Sequence, residues 1–255
     1  MSTVDPDVPH DPWAAHYETV MSLSFGGLYR QMTSQTLAEI DRLVPRDATI
    51  LDLGAGSGRM ALPLAQSGRR VIAVDRSTSM LAALRHRASL LGPEAADRIE
   101  VRSGTIDRIP QTDRVDLVLC VFTVLAYCLT EDSLRDTFRG ASGVLNPGSP
   151  FLLDVPAAEV FQSMEIESSE IIRSVSIDEV EPAMYEYREH TLLRTETGSV
   201  EYRDAFRLRR WTLDEVREAL GASGFGGIED VTERFADLGA RYLVARSETV
   251  SLTGG

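Results

Sequence analysis

Basic residues are in short supply: 26 Lys and Arg stand against 39 Asp and Glu among 255 residues, a formal net charge of −13. Binding a nucleic-acid backbone draws its free energy from Lys and Arg displacing condensed counterions, so this balance argues against a nucleic-acid clamp. No basic patch stands out along the chain. Long apolar runs are also missing; nothing approaches the roughly 20 residues a membrane helix needs, which excludes a transmembrane reading. Residues 1–13 hold Asp5, Asp7 and Asp11 and three prolines but no basic segment followed by an apolar stretch, so they read as a disordered leader and not as a signal peptide. Cysteine is scarce: Cys120 and Cys128 lie in an apolar region without metal-ligand or disulfide-framework spacing, which predicts two buried thiols, no metal site and a reducing, cytoplasmic setting. There is no internal repeat and no low-complexity segment. What remains, 43% hydrophobic and 25% charged, is an ordinary soluble globular composition. The length suits one large α/β domain or a domain carrying an insertion.

Apolar residues at Leu28, Met32, Leu37, Ile40, Leu43 and Val44 predict an amphipathic helix over 28–43, ended by Pro45. A short strand over 49–53, interrupted only by Asp52, runs into Gly54, Ala55, Gly56, Ser57 and Gly58, and a helix over 59–66 follows. A second strand over 70–74 ends at Asp75; Ser77 then caps a helix over 78–91 that stops at Gly92 and Pro93. Strands over 99–103, 115–121 and 151–155, with a helix over 130–144, continue the alternation, and the unbroken apolar run at 115–121 points to a parallel sheet buried on both faces. After Pro156 the pattern changes to polar alternation over 170–177, 183–193 and 199–209, which predicts an antiparallel insertion. A capping box at Thr212 to Glu215 reopens the core with a helix to about residue 223, strands near 226–231 and 241–246, and a loose tail over 249–255.

Residues 52–58 read DLGAGSG, placed between a strand and a helix. Glycines there let the backbone turn sharply and a ligand pack against it, while free N–H groups at the helix start favour an anionic group. Asp75, at the end of the next strand, stands where a carboxylate accepts from both hydroxyls of a ribose. Either element alone has a plainer explanation, a glycine turn closing strand on helix or a solvated strand end; together they describe a nucleoside site. A dinucleotide dehydrogenase would need GxGxxG, whereas the third glycine falls one place early at Gly58 and position 59 is Arg. Nor does the sequence supply a hydride-transfer site.

The segments ILDLGAGSG at 50–58 and VDRSTSML at 74–81, with the strand motifs at 115–120 and 145–154, resemble in order and spacing those of class I S-adenosylmethionine-dependent methyltransferases. The resemblance spans nearly all of 49–246 and is nearest in pattern to small-molecule members such as sugar-amine and glycine N-methyltransferase-like enzymes. It implies a doubly wound, Rossmann-like α/β fold whose seven-stranded sheet has its last strand antiparallel, here with an antiparallel β insertion after strand five. It further implies S-adenosylmethionine as cofactor and S-adenosylhomocysteine as product. Gly54, Ala55 and Gly56 would lie against the methionine part, Asp75 would bind the ribose, and Arg76 and Met80 would flank the adenine. Where such enzymes often carry Gly-Asp after the third strand, this chain has Gly104 and Thr105; the Thr105 oxygen, Asp107 reaching back, or the N–H groups of Thr105 and Ile106 would take the adenine instead.

The stretch CVFTVLAY at 120–127 resembles the matching region of sugar-amine N-methyltransferases, which makes Cys120 and Phe122 cofactor contacts and Tyr127 a substrate contact. Trp13, His16 and Tyr17 resemble a segment that closes over the cofactor, with Tyr17 as lid and candidate catalytic residue and Arg30 as candidate partner of the cofactor carboxylate. The insertion concentrates Tyr185, Tyr187, His190, Tyr202, Arg209 and Trp211. In this family an insertion there roofs the acceptor pocket, so Tyr185, Tyr187, His190, Arg209 and Trp211 are expected at the substrate and His190 is the base if one is used. The plainer alternative is a sheet whose aromatics pack on one side and whose His190 faces water.

The implied division is 1–45 as leader and lid helices, 46–156 as cofactor-binding core, 157–210 as insertion and 211–255 as return to the core and tail. The expected activity is methyl transfer to an amine or hydroxyl of a small molecule by in-line displacement. A non-catalytic S-adenosylmethionine-binding regulatory protein is the alternative, and a NAD-dependent oxidoreductase a weaker one. The expected partner is the small acceptor, without nucleic acid or membrane, and a homodimer is left open.

Overall fold

Two periodicities build the molecule, the strand period of two and the helix period of 3.6, and each strand of the central sheet sends alternate side chains to opposite faces. The computed structural model describes residues 8–235 and 239–248. The leader expected over 1–7 and the tail over 249–255 lie outside the described residues.

The chain opens with a short 3₁₀ segment, Asp11–His16, and helix α1 (Tyr17–Leu43), which is broken at Gly26, where φ is 45°. Then come β1 (Thr49–Leu53), α2 (Ala61–Gln66), β2 (Arg70–Asp75), α3 (Thr78–Ser89), α4 (Pro93–Ala96), β3 (Ile99–Ser103), β4 (Leu117–Cys120), α5 (Glu131–Val144) and β5 (Pro150–Pro156). The insertion holds β6 (Met164–Glu167), β7 (Ile171–Glu181), β8 (Met184–Thr195) and β9 (Gly198–Arg209); α6 (Leu213–Gly221), β10 (Phe225–Asp230) and β11 (Ala240–Ser247) complete the core. The central sheet runs β10-β11-β5-β4-β1-β2-β3, with β11 antiparallel to both of its neighbours and the remaining pairs parallel. This is the seven-stranded, doubly wound arrangement the sequence predicts, with its last strand reversed.

Leu51, Leu53, Val118, Cys120, Phe151 and Leu153 face α5 and α6, meeting Leu134, Phe138, Val216 and Leu220. Ile50, Val71, Ala73, Leu117, Leu119 and Leu152 face α1, α2 and α3, meeting Ile40, Leu64, Leu81 and Leu84. Both faces are therefore dry, as unbroken apolar strands require. Caps end the helices where expected: Ser77 accepts from the Met80 N–H, Thr130 from Ser133, and Thr212 with Glu215 forms a reciprocal capping box. Cys120 and Cys128 are free and buried.

The insertion is a four-stranded antiparallel sheet, β6-β7-β8-β9, one strand more than the alternation predicts. Strand β6 is four residues, MEIE, too short to announce itself by pattern. The sheet packs through Phe161, Val175, Tyr185, Tyr187 and Leu208 on Ala126 beyond β4, and through Ile171, Leu193 and Tyr202 on Trp13 and Val20. A buried ion pair, Arg173 to Glu189 at 2.8 Å, ties it to α1 through Ser24 Oγ, 2.9 Å from Arg173. Removing one partner would strand the other charge in the interior.

The disordered-leader expectation fails for residues 8–13. Trp13 is 1% exposed, and buried Asp11 caps α3 by accepting from Ser77 Oγ and from Ser79 Oγ at 2.9 Å. The acidic and proline-rich composition concealed a segment fixed by one tryptophan and one carboxylate at a helix N-terminus. Among the described residues, no helix is long and apolar enough to cross a membrane.

Candidate functional site

Parallel strands place their loops together at their carboxyl ends, and the order of connections reverses where β1 lies between β4 and β2, the crevice where open α/β sheets take ligands. A cavity of about 220 Å³ occupies this position. Its floor is the turn after β1. Gly54, at φ 70°, donates with Ala55 to the Val74 carbonyl at 2.9 and 3.0 Å, and a Cβ at Gly54 would stand 2.7 Å from Val124. Gly58 is a packing glycine instead: a Cβ there would meet buried Leu84 at 2.3 Å.

Asp75 ends β2 at the cavity wall and accepts from the N–H groups of Gly56 and Ser77, each at 2.8 Å. Burial raises its carboxyl above the ordinary range, and those two N–H groups oppose the rise. Asp52, 3% exposed, also lines the cavity, and its Oδ2 has no partner among the described residues. Burial, and then the neighbouring Asp75 carboxylate, push the Asp52 carboxyl up to about 7. A buried carboxylate oxygen without a partner, facing a cavity, fits a hydrogen-bond donor or a cation. A nucleoside bearing hydroxyls and an ammonium fits this donor and acceptor set.

At one end of the cavity stand Arg76, Met80, Gly104, Thr105, Ile106, Asp107 and Ser133, with Ser133 Oγ donating to Asp107 at 3.2 Å. Asp107 thus lines the same cavity as Gly104 and Thr105. Beyond β4, Phe122 and Thr123 adopt φ of 68° and 72°, a left-handed pair without glycine, held by the Thr123 N–H on Asp154 at 3.1 Å. Such strain persists only where the surroundings over-determine it, as around ligand sites. It turns the Phe122 ring under Arg59, whose guanidinium carbon lies 3.6 Å from that ring and 3.7 Å from Tyr29.

The roof comes from the N-terminal segment. Pro9, His10 and Tyr17 line the cavity with Tyr127. Tyr17 stacks on Trp13 at 5.0 Å, and burial pushes its phenol up to about 12, so at neutral pH it keeps its proton. His10 is the group that sequence reasoning missed. Its Nε2 lies 2.9 Å from Tyr127 Oη, and its ring is 3.5 Å from Asp204 on β9. The missed signal was Trp13, an aromatic too costly to leave in water at the end of a supposedly disordered stretch.

Gly54, Ala55, Gly56, Asp75, Arg76, Met80, Gly104, Thr105, Ile106, Phe122, Tyr127 and Tyr17 all line the cavity. Several expected residues do not. His190 alternates outward from β8, is 52% exposed and bonds Glu201 at 2.8 Å, so it is not at the cavity. Arg30 is exposed on α1 and does not line the cavity, whereas Arg59 and Arg76 do. Cys120 points into the α5 face of the core, because strand alternation gives the cavity to Val121. Tyr185 packs on Phe161 at 4.9 Å, and Arg209 lies over Trp211, whose Nε1 donates to the Cys128 carbonyl at 3.0 Å. These three form the footing of the insertion. Tyr187 does not line the cavity either; it donates to Glu189 and lies behind His10. No cluster of metal-ligating side chains is present among the described residues.

The sheet order and the glycine-and-carboxylate turn define a Rossmann-like fold with a cavity at the carboxyl ends of its parallel strands. Residues 50–148 match the family described as "Methyltransferase domain". A ubiquinone/menaquinone biosynthesis C-methyltransferase, UbiE, of Methylobacterium nodulans is 29% identical over 156 residues, covering 57% of this chain and 59% of the relative. The chain thus spans a little over half the length of that relative. Two solved structures share the fold over nearly the whole chain. An S-adenosylmethionine-dependent methyltransferase from Clostridium acetobutylicum superposes with a TM-score of 0.76 at 14% identity, covering 91% of this chain and 97% of the other. The sugar N-methyltransferase KedS8 from Streptoalloteichus superposes with a TM-score of 0.75 at 16% identity, covering 97% of each.

Proposed function

We propose that the protein is an S-adenosylmethionine-dependent methyltransferase that acts on an amine or hydroxyl of a small molecule. The observation that carries this reading is the cavity itself: a glycine turn and Asp75 beneath, orphaned Asp52 beside them, and a roof of Tyr17, His10 and Tyr127. Asp75 would hold the ribose hydroxyls, Asp52 the ammonium end, and Thr105, Ile106 and Asp107 the adenine. When bound, the cofactor supplies a methyl group already activated on a sulfonium. The chain's own contribution is then chiefly positional. Orienting an acceptor at near-attack distance can supply roughly 7 to 11 kcal/mol of the barrier. Tyr17, His10 and Tyr127 would exclude water from that space.

The net charge of −13 disfavours nucleic acid as acceptor. A roof formed by the N-terminal segment suits an acceptor small enough to be enclosed. The fold shared with a sugar N-methyltransferase makes amino sugars the first acceptors to try.

Calorimetric titration with S-adenosylmethionine, S-adenosylhomocysteine and NAD in parallel tests the cofactor. Binding of the first two but not of NAD is expected, and binding of NAD alone overturns the reading. Mass spectrometry of amino sugars, small amines and phenols incubated with the protein and S-adenosylmethionine then tests transfer. Cofactor binding with no methylated product across that panel would favour the non-catalytic, regulatory alternative.

A further inference from the structure

His10 sits where no motif predicts a functional group, and its surroundings are built. The residue adopts φ 63°, an uncommon left-handed conformation for a side chain other than glycine. Its backbone N–H donates to Asp204 Oδ2 at 2.8 Å, and Trp13 Nε1 donates to the same oxygen at 3.0 Å. The ring Nδ1 lies 3.5 Å from that oxygen and has no nearer hydrogen-bond partner among the described residues. Five aromatic rings surround the imidazole: Trp13 and Phe206 at 5.0 Å, Tyr17 at 5.5 Å, Tyr187 at 6.2 Å and Tyr127 at 6.3 Å. Most of these rings meet the imidazole in edge-type contacts, and the Asp204 carboxylate beside it would balance a positive charge formed there. Asp204 is 6% exposed; burial would raise its carboxyl, but the bonds from His10 and Trp13 hold it below the usual range.

We infer that His10 is the group that takes the proton released by the acceptor, with Asp204 as the residue that positions the ring and balances its charge. The inference rests on the methyltransferase reading above and names a residue for it. The acceptor's lone pair forms the new bond to the methyl carbon while the carbon–sulfur pair departs with sulfur. The proton lost by the acceptor's nitrogen or oxygen goes to His10 Nε2, directly or by way of the Tyr127 hydroxyl 2.9 Å away, and later to water. One positive charge leaves sulfur and one arrives on the imidazole, so the net charge of the site is unchanged. Asp204, 3.5 Å from the ring, would balance the charge formed on the imidazole when the proton arrives. Tyr127 stays a phenol, because burial raises it well above the ordinary tyrosine range. The other charged groups near the ring are Asp75 and Arg76 at the cavity wall, with phenols Tyr17 and Tyr187.

The test is nitrogen-15 NMR of the full chain, whose four histidines allow His10 to be assigned by its loss in His10→Gln. The ratio of imidazolium to imidazole at His10 is read at a pH of about 6.5, the ordinary imidazole midpoint. Asp204→Asn, which keeps an acceptor oxygen for Trp13 and the His10 N–H, is expected to lower that ratio at least about threefold, since a facing carboxylate typically moves a neighbour's titration by one pH unit or more. Saturating S-adenosylmethionine is expected to lower it at least about threefold relative to uncharged-sulfur S-adenosylhomocysteine. On whichever acceptor of the panel above is methylated best, His10→Gln should lower kcat by about 10²-fold or more while the cofactor Kd stays within about threefold. A His10 ratio indifferent to both Asp204→Asn and the sulfonium, or a His10→Gln enzyme with wild-type kcat, overturns the assignment. If neither nucleoside binds by calorimetry, the methyltransferase reading itself has failed, and that result is distinct from an altered ratio.

Discussion

Asp52→Asn offers a test whose magnitude follows from the structure. The wild-type carboxyl is 3% exposed, has an unpartnered oxygen and is raised from 3.8 to about 7. Below pH about 4 both native and unfolded chains hold the proton, and the site carries no penalty. Between about 4 and 7 the native state keeps a proton that the unfolded chain has released, so wild-type stability falls as pH rises; above 7 the full penalty is present. Roughly three pH units at about 1.4 kcal/mol each set the ceiling near 4 kcal/mol. Between pH 5 and pH 8 the share that develops is about 3 kcal/mol by the same conversion, and structural relaxation around the carboxylate would reduce it, so about 1 kcal/mol is taken as the floor. Asparagine does not titrate, and whatever its amide costs in packing is equal at both pH values and cancels in the difference. Urea unfolding of both proteins at pH 5 and pH 8 reads it directly: the stability of Asp52→Asn relative to wild type should rise by about 1 to 3 kcal/mol. A relative stability flat across that range would refute the assignment of a buried, orphaned carboxyl at the cavity.

Other substitutions probe the remaining parts. Asp75→Ala should weaken S-adenosylmethionine binding by about 1.5 to 3 kcal/mol, the worth of hydrogen bonds to a charged group, and calorimetry on the folded variant checks it. Gly58→Ala forces a Cβ to 2.3 Å from buried Leu84 at a backbone φ of 93°, and should cost roughly 1 to 3 kcal/mol in urea unfolding. An unchanged midpoint would mean that α3 yields freely there. His190→Ala should leave cofactor affinity and turnover at wild-type values, since the ring is half exposed and bonded to Glu201; loss of turnover would return it to the site.

The glycine-turn side of the cavity was legible because its determinants are local. A glycine turn, the carboxylate at the next strand end and the capping residues act through their own backbone and neighbours within a few positions, so DLGAGSG, Asp75, Ser77 and Thr212 mean the same in the string as in space. Strand period also located the two faces of the sheet, although it could not register the four residues of β6.

The roof of the cavity was decided by contacts that no spacing encodes. His10 meets Asp204 across 194 positions and Tyr127 across 117, and Arg59 rather than Arg30 reaches the cavity because the turn after β1 carries it there. Whether a strand residue faces substrate or solvent depends on which sheet face the N-terminal segment covers, and that left His190 outside while Tyr187 packs behind His10. Sequence alone therefore determined the fold class and the glycine-and-carboxylate turn, both set by short-range backbone chemistry and hydrophobic period. Only tertiary packing, with a tryptophan burying a leader that composition marked as disordered, decided which residues close the site.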